Sequence, residues 1–107
     1  MTEQSNAEIR LEVETARPPT SRCKRVIATM EEAARRYPGQ VRLVVYEWGS
    51  PWPERPTPGF QSYGKDARVP KSFVDGKCME IGQEPLLSDV IAAIEERLGQ
   101  LKAGQQK

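Results

Sequence analysis

The stretch "KSFVDGKCMEI", Lys71 to Ile81, constrains the fold more than any other part of the chain. Asp75-Gly76 sits between two runs rich in β-formers. That dipeptide favours the positive φ angles of a two-residue type I′ turn, so the flanking runs are antiparallel neighbours. A lone hairpin is marginal in water and needs a sheet to join. The upstream sequence supplies one. "EIRLEVET", residues 8–15, alternates Ile9, Leu11 and Val13 with Arg10, Glu12 and Glu14. That period of two marks a strand with one buried and one polar face. "VRLVVYEW", residues 41–48, is apolar and β-branched and reads as a central strand.

Helical spacing lies between these strands. Val26, Ile27, Met30, Ala33, Ala34 and Tyr37 fall on one stripe, with Lys24, Glu31, Glu32, Arg35 and Arg36 mostly off it. Thr20 is placed to cap this helix by accepting from the amide of Cys23, and Pro38-Gly39 ends it. Leu87, Val90, Ile91, Ile94, Leu98 and Leu101 form a second stripe near the end of the chain. Residues 49–70 are rich in proline and leave room only for a short helix near "GFQSYG". The order is β-α-β, a long loop, then β-β-α. A right-handed parallel crossover joined by a hairpin gives an α/β fold with a mixed four-stranded sheet flanked by helices. The expected limits are one domain over residues 8–101, with flexible tails at 1–7 and 102–107.

Composition narrows the chemistry. The chain has 107 residues, no histidine, two cysteines and a net charge of +1. Without histidine there is no Ser/His or Cys/His nucleophile pair and no imidazole metal ligand. The near-balanced charge gives no long-range field for nucleic acid or anionic lipid. No apolar run approaches the roughly 18 residues of a membrane span, and "MTEQSNAE" lacks the pattern of a secretory leader. Two cysteines are too few for a disulfide framework, so the expected setting is a reducing cytoplasm. Cys23 and Cys78 are not expected to pair. Trp48, Trp52, Phe60 and Tyr63 cluster around the proline-rich loop, which is expected to fold back on them. Glu14, Glu47 and the Arg35-Arg36 pair read as solvated charges.

The order of these elements and their punctuation resemble the thioredoxin-like superfamily, and more closely its small glutaredoxin-like thioredoxins. "TSRCK" opens the first helix where that family has Cys-x-x-Cys-Lys. "YPGQVRLVVYEW" matches the helix end and second strand. "SYG", then "RVP" with "KSFVDGK", match the short helix end, the cis-proline and the hairpin. Gly82 matches the glycine before the last helix. Selenoprotein-W-like chains share the fold and also fit "YPGQVRL" and "PGF". The resemblance covers roughly residues 8–99 and implies a redox lineage. The departure from it bears on function. Family members attack with the first cysteine and resolve with the second, whereas Thr20 stands in the first place and only Cys23 remains.

Three readings follow for the candidate site. In the first, the family's groove survives without dithiol exchange. Val69 and a cis Pro70 would then pair with an extended protein or peptide segment, and Arg22 and Lys24 would lend positive charge. In the second, Cys23 is a working lone thiol that forms a mixed disulfide with a partner or with glutathione, which would be the only small molecule involved. A helix N-terminus favours the thiolate, whereas apolar burial opposes it. In the third, Thr20 and Cys23 act like the Thr-x-x-Cys of peroxiredoxins. No nucleic acid, membrane or metal enters any of these readings.

Overall fold

The structure, a computed structural model, describes residues 9–105. Strand β1 (Ile9–Thr15) leads into helix α1 (Ser21–Arg35) and strand β2 (Val41–Glu47). A long connection carrying the one-turn helix α2 (Pro58–Gln61) then reaches the hairpin strands β3 (Lys71–Val74) and β4 (Lys77–Ile81), and helix α3 (Leu87–Gln105) closes the fold. The result is an α/β fold with one mixed sheet of order β2-β1-β3-β4. β1 runs parallel to β2 and antiparallel to β3, and β3 is antiparallel to β4. Asp75 and Gly76 have φ angles of 49° and 89°, as the type I′ turn requires. Residues 1–7, expected to be a flexible tail, lie outside the described residues.

One face of the sheet carries the aliphatic core. Ile9, Leu11, Val13 and Val74 meet Val26, Met30 and Ala33 of α1 and Val90, Ala93 and Ile94 of α3. The expected stripe on α1 is the buried one, and it extends one turn earlier than the sequence pattern showed, to Cys23. Thr20 caps α1, its Oγ1 accepting from the Cys23 amide at 3.1 Å. This satisfies one of the otherwise unpaired first-turn donors.

The structure corrects three expectations. β2 is an edge strand, not a central one. Its apolar character comes from cover on both faces, because Tyr46 is fully buried beneath Trp52 and Phe60 of the following connection. β1 is buried on both faces: Glu12 and Glu14 are inside, at 0% and 6% exposure. The reading of Glu14 as a solvated charge therefore fails, since the 48–70 connection folds over this face and brings donors with it. Finally, α3 does not stop before residue 102 but runs through Gly99 to Gln105. A single glycine in a helix costs only about 1 kcal/mol, which a long packed helix absorbs.

The second face holds an aromatic cluster. Tyr46, Phe60 and Phe73 pack together with Val44, and Cys78 borders them. Glu12 anchors the connection above this cluster. Its carboxylate accepts from Tyr46 Oη at 2.8 Å, Thr57 N at 2.9 Å and Thr57 Oγ1 at 2.5 Å. Arg42 and Arg10 reach Glu54 of the same connection, the Arg42 contact being bidentate. Thr57 also caps α2. Gly59 in α2 lies so close to the Gly76 carbonyl of the hairpin that a Cβ there would clash with it.

Candidate functional site

The carboxyl ends of the parallel strands β1 and β2 and the amino end of α1 meet at one end of the sheet. In open α/β sheets this is where ligands bind. A cleft of about 430 Å³ lies there, lined by Ala16, Arg17, Trp48, Gly49, Ala67 and Val69. The β1–β3 ladder closes with Glu14 opposite Lys71. Continuing that register sets Pro70 beside Thr15 and Val69 beside Ala16. Val69 therefore stands at the cleft just beyond the ladder, and its backbone polar groups fall outside the strand pairing. The Val69–Pro70 peptide bond is cis, as is Arg17–Pro18.

Cys23 lies in the first turn of α1 and is fully buried. Burial pushes its thiol pKa up. Hydrogen bonding from the Thr20 side chain and from the backbone of Ala16, Thr20 and Cys23 outweighs that, and the net value is below an ordinary thiol's. Ala16 also lines the cleft. Cys78 is the opposite case. It lies on the aromatic face, and its thiol is pushed up by burial, with a smaller downward contribution from the Tyr63 hydroxyl. Both cysteines are free thiols, on opposite faces of the sheet.

The other residues singled out in the sequence are placed as follows. Pro70 is buried, and its carbonyl accepts from the Gly82 amide at 2.7 Å. Arg22 donates from Nη1 to the Gly82 carbonyl at 3.0 Å. Lys24 is exposed on the outer side of α1. Thr20, Cys23, Val69, Pro70 and Arg22 are thus brought to one end of the molecule, whereas Lys24 points away from its centre.

Several contributors were missed in the sequence. Trp48 forms a wall of the cleft and is 47% exposed. Its indole is held from below by Glu14, which accepts from Trp48 Nε1 at 2.7 Å. Glu14 is fixed in turn by the buried Lys71, whose ammonium is 2.7 Å from Glu14 Oε1 and also donates to the Asp66 carbonyl. Arg17 lines the cleft and donates to the Gly49 carbonyl at 2.9 Å. Two further hydroxyls, Thr15 Oγ1 and Ser72 Oγ, are buried at this end of the sheet without a hydrogen-bond partner. The signal available for Glu14 and Lys71 was their position. An acid at the end of a strand and a lysine opening an apolar one are both in places where a charge needs a partner.

No protein-family model matches the chain, and no curated protein matches it significantly. Among the described residues no helix is long and apolar enough to cross a membrane.

Proposed function

We propose that this protein is a thioredoxin-like module of the redox lineage that has lost dithiol exchange and binds an extended protein segment in the cleft between Ala16, Trp48 and Val69. The observation that carries this reading is the cleft at the carboxyl ends of β1 and β2, lined by Ala16, Trp48 and Val69 at the entry to α1. An incoming extended segment would pair with backbone at Val69, a form of β-addition, and lay its side chains against Trp48. The element order β-α-β, short helix, β-β-α supports the reading. The place of the attacking cysteine is held by Thr20, which serves as a helix cap, and Cys78 lies across the sheet. No second sulfur is therefore available to resolve a mixed disulfide, and the complete burial of Cys23 favours binding over exchange.

The test is to restore the missing thiol. The native protein should not reduce insulin in the presence of dithiothreitol, and Thr20→Cys should. Turnover by the native protein, or none by a folded Thr20→Cys variant, would contradict the reading.

One observation favours a second reading. The hydrogen bonding around Cys23 favours the thiolate, as a monothiol exchange protein requires. The Cys23 thiolate would attack one sulfur of a disulfide such as oxidised glutathione, forming a mixed disulfide and expelling the other sulfur as a thiolate that takes up a proton. A second external thiol would then release Cys23. Mass spectrometry of Cys78→Ser after incubation with oxidised glutathione separates the two. A glutathionyl adduct on the folded protein supports exchange, and its absence supports binding alone.

A further inference from the structure

We infer that two copies of this chain associate edge to edge through β2, which pairs antiparallel with its copy about a two-fold axis at Val44. Two four-stranded sheets then join into one. This contact uses a strand edge rather than the cleft and stands whether or not the cleft binds a peptide.

The sheet has two edges, and they differ. β4 is five residues long, and its pairing with β3 is broken by a bulge between Ser72 and Phe73, a feature that turns an edge away from further pairing. β2 is seven residues long, keeps an unbroken register with β1 and contains no proline. A long, flat, apolar edge is a template for another strand. The β1–β2 ladder shows which polar groups face outward. Ile9 N donates to the Gln40 carbonyl and Trp48 N to the Thr15 carbonyl, so even-numbered residues of β2 turn their backbone groups to β1. The odd-numbered ones, Val41, Leu43, Val45 and Glu47, turn theirs to the open edge. Two of these outward groups are already used within the chain. Val41 N donates to the Tyr37 carbonyl, and the Glu47 carbonyl accepts from Ser50 N and Trp52 Nε1. The rest are the Val41 carbonyl, both groups of Leu43 and of Val45, and Glu47 N. Among the described residues these have no hydrogen-bond partner.

A second copy fits that pattern in one register. With Val44 opposite Val44 of the copy, Leu43 of each chain exchanges both N–H···O bonds with Val45 of the other. Val41 then lies opposite Glu47 of the copy, and its carbonyl accepts from that Glu47 amide. The outward groups left over are Val41 N and the Glu47 carbonyl, the same two that are satisfied inside each chain. Sliding the copy by two residues in either direction sets an occupied group against a free one. Charge supports the antiparallel sense. At the amino end of β2, α1 closes with Arg35 and Arg36, which share the carboxylate of Glu32. At the carboxyl end, Glu47 has no cation within salt-bridge distance among the described residues, and its carboxylate accepts from Ser50 Oγ at 3.0 Å. Antiparallel pairing sets each negative end against the positive end of the copy. α1 packs on both β1 and β2, so the two α1 helices would lie two strand spacings apart, about 10 Å, the distance at which helices pack.

Sedimentation velocity of the full chain tests this. A short edge contact belongs with small, transient interfaces, so the average mass should rise from one chain towards two between about 10 μM and about 1 mM. Val45→Pro removes an outward N–H without breaking the β1–β2 ladder, as an edge strand tolerates. The change occurs twice in the dimer and should weaken association about tenfold, with the circular dichroism spectrum unchanged. Val44→Cys in a Cys78→Ser background gives a readout that does not depend on the proline variant folding. Facing residues that exchange no hydrogen bonds have Cα atoms about 4.5 Å apart, within disulfide reach. Oxidation with diamide should link these chains through position 44, whereas Met79→Cys in the same background, on the β4 edge, should stay unlinked. A mass that remains at one chain up to about 1 mM overturns the inference. So does association that a folded Val45→Pro variant leaves unchanged, or equal cross-linking at positions 44 and 79.

Discussion

The two faces of the sheet solve the same burial problem with opposite chemistry. On the helix-packed face, Ile9, Leu11 and Val13 meet two amphipathic helices, and among the described residues its polar groups include the Cys23 thiol and the unpartnered hydroxyls of Thr15 and Ser72. On the other face, Glu12, Glu14 and Lys71 are as deeply buried as the aliphatic core, and a proline-rich connection covers them together with Tyr46, Phe60 and Phe73. Burying charge is costly unless every charge is paired and hydrogen-bonded. Here Glu12 takes three hydrogen bonds and Glu14 takes two. The first face supplies ordinary apolar stability. The second fixes a long connection in one place, and so fixes Trp48, which that connection begins with. A cleft with one wall on a loop is well defined only if that loop is anchored.

The largest expected effect comes from breaking the second face at Lys71. Lys71→Ala leaves the Glu14 carboxylate buried with Trp48 Nε1 as its remaining partner, and should cost about 3–5 kcal/mol in urea unfolding. The double variant Glu14→Leu/Lys71→Met should recover most of that loss but free the Trp48 indole, visible as a change in tryptophan fluorescence. If Lys71→Ala proved neutral, the pair would not be buried as described.

A smaller effect separates the two capping threonines. Thr20 and Thr57 both cap helices, one beside each face. Thr20→Ala removes a cap and should cost about 1 kcal/mol. Thr57→Ala also takes a hydrogen bond from the buried Glu12 carboxylate and should cost about 2 kcal/mol. Equal costs would mean that Glu12 does not anchor the connection.

The smallest effect lies in pH dependence, where the two thiols should oppose each other. Cys23 has a lowered pKa in the folded state. The native form therefore loses its proton first, and this group adds stability as pH rises through the interval between its folded value and the ordinary thiol value of about 8.5. Cys78 has a raised pKa. Its contribution is present below the ordinary thiol value and is lost as pH rises towards its folded value. Cys23→Ser should therefore steepen the loss of stability in the alkaline range relative to the native chain, and Cys78→Ser should lessen it. The same slope in both variants would contradict the contrast.

Legibility in the sequence followed the same division. The helix-packed face was readable because period-two and period-3.6 apolar patterns report directly on burial, from Ile9–Leu11–Val13 to Val26–Met30–Ala33. Asp75-Gly76 was readable because few dipeptides tolerate two successive positive φ angles. The charged face was not, because alternation alone cannot tell a solvated Glu14 from one whose partner, Lys71, lies far along the chain. Nor can it tell an edge strand covered by a folded-back loop from a central one, and β2 was misplaced for that reason. Of the candidate site residues, Thr20, Cys23, Val69 and Pro70 are singled out by local spacing and resemblance. Arg17 and Trp48 were not, since their role depends on where the connection after β2 is anchored.

The account depends above all on the Cys23 thiol in the first turn of α1, held towards its ionised form by Thr20 and the backbone of Ala16. The most direct test is the rate of iodoacetamide alkylation as a function of pH in the folded Cys78→Ser protein, alone and with Thr20→Val added. The expected result is a midpoint below the ordinary thiol value of about 8.5 that rises when Thr20 is replaced. A midpoint at or above that value, unmoved by Thr20→Val, would contradict the account.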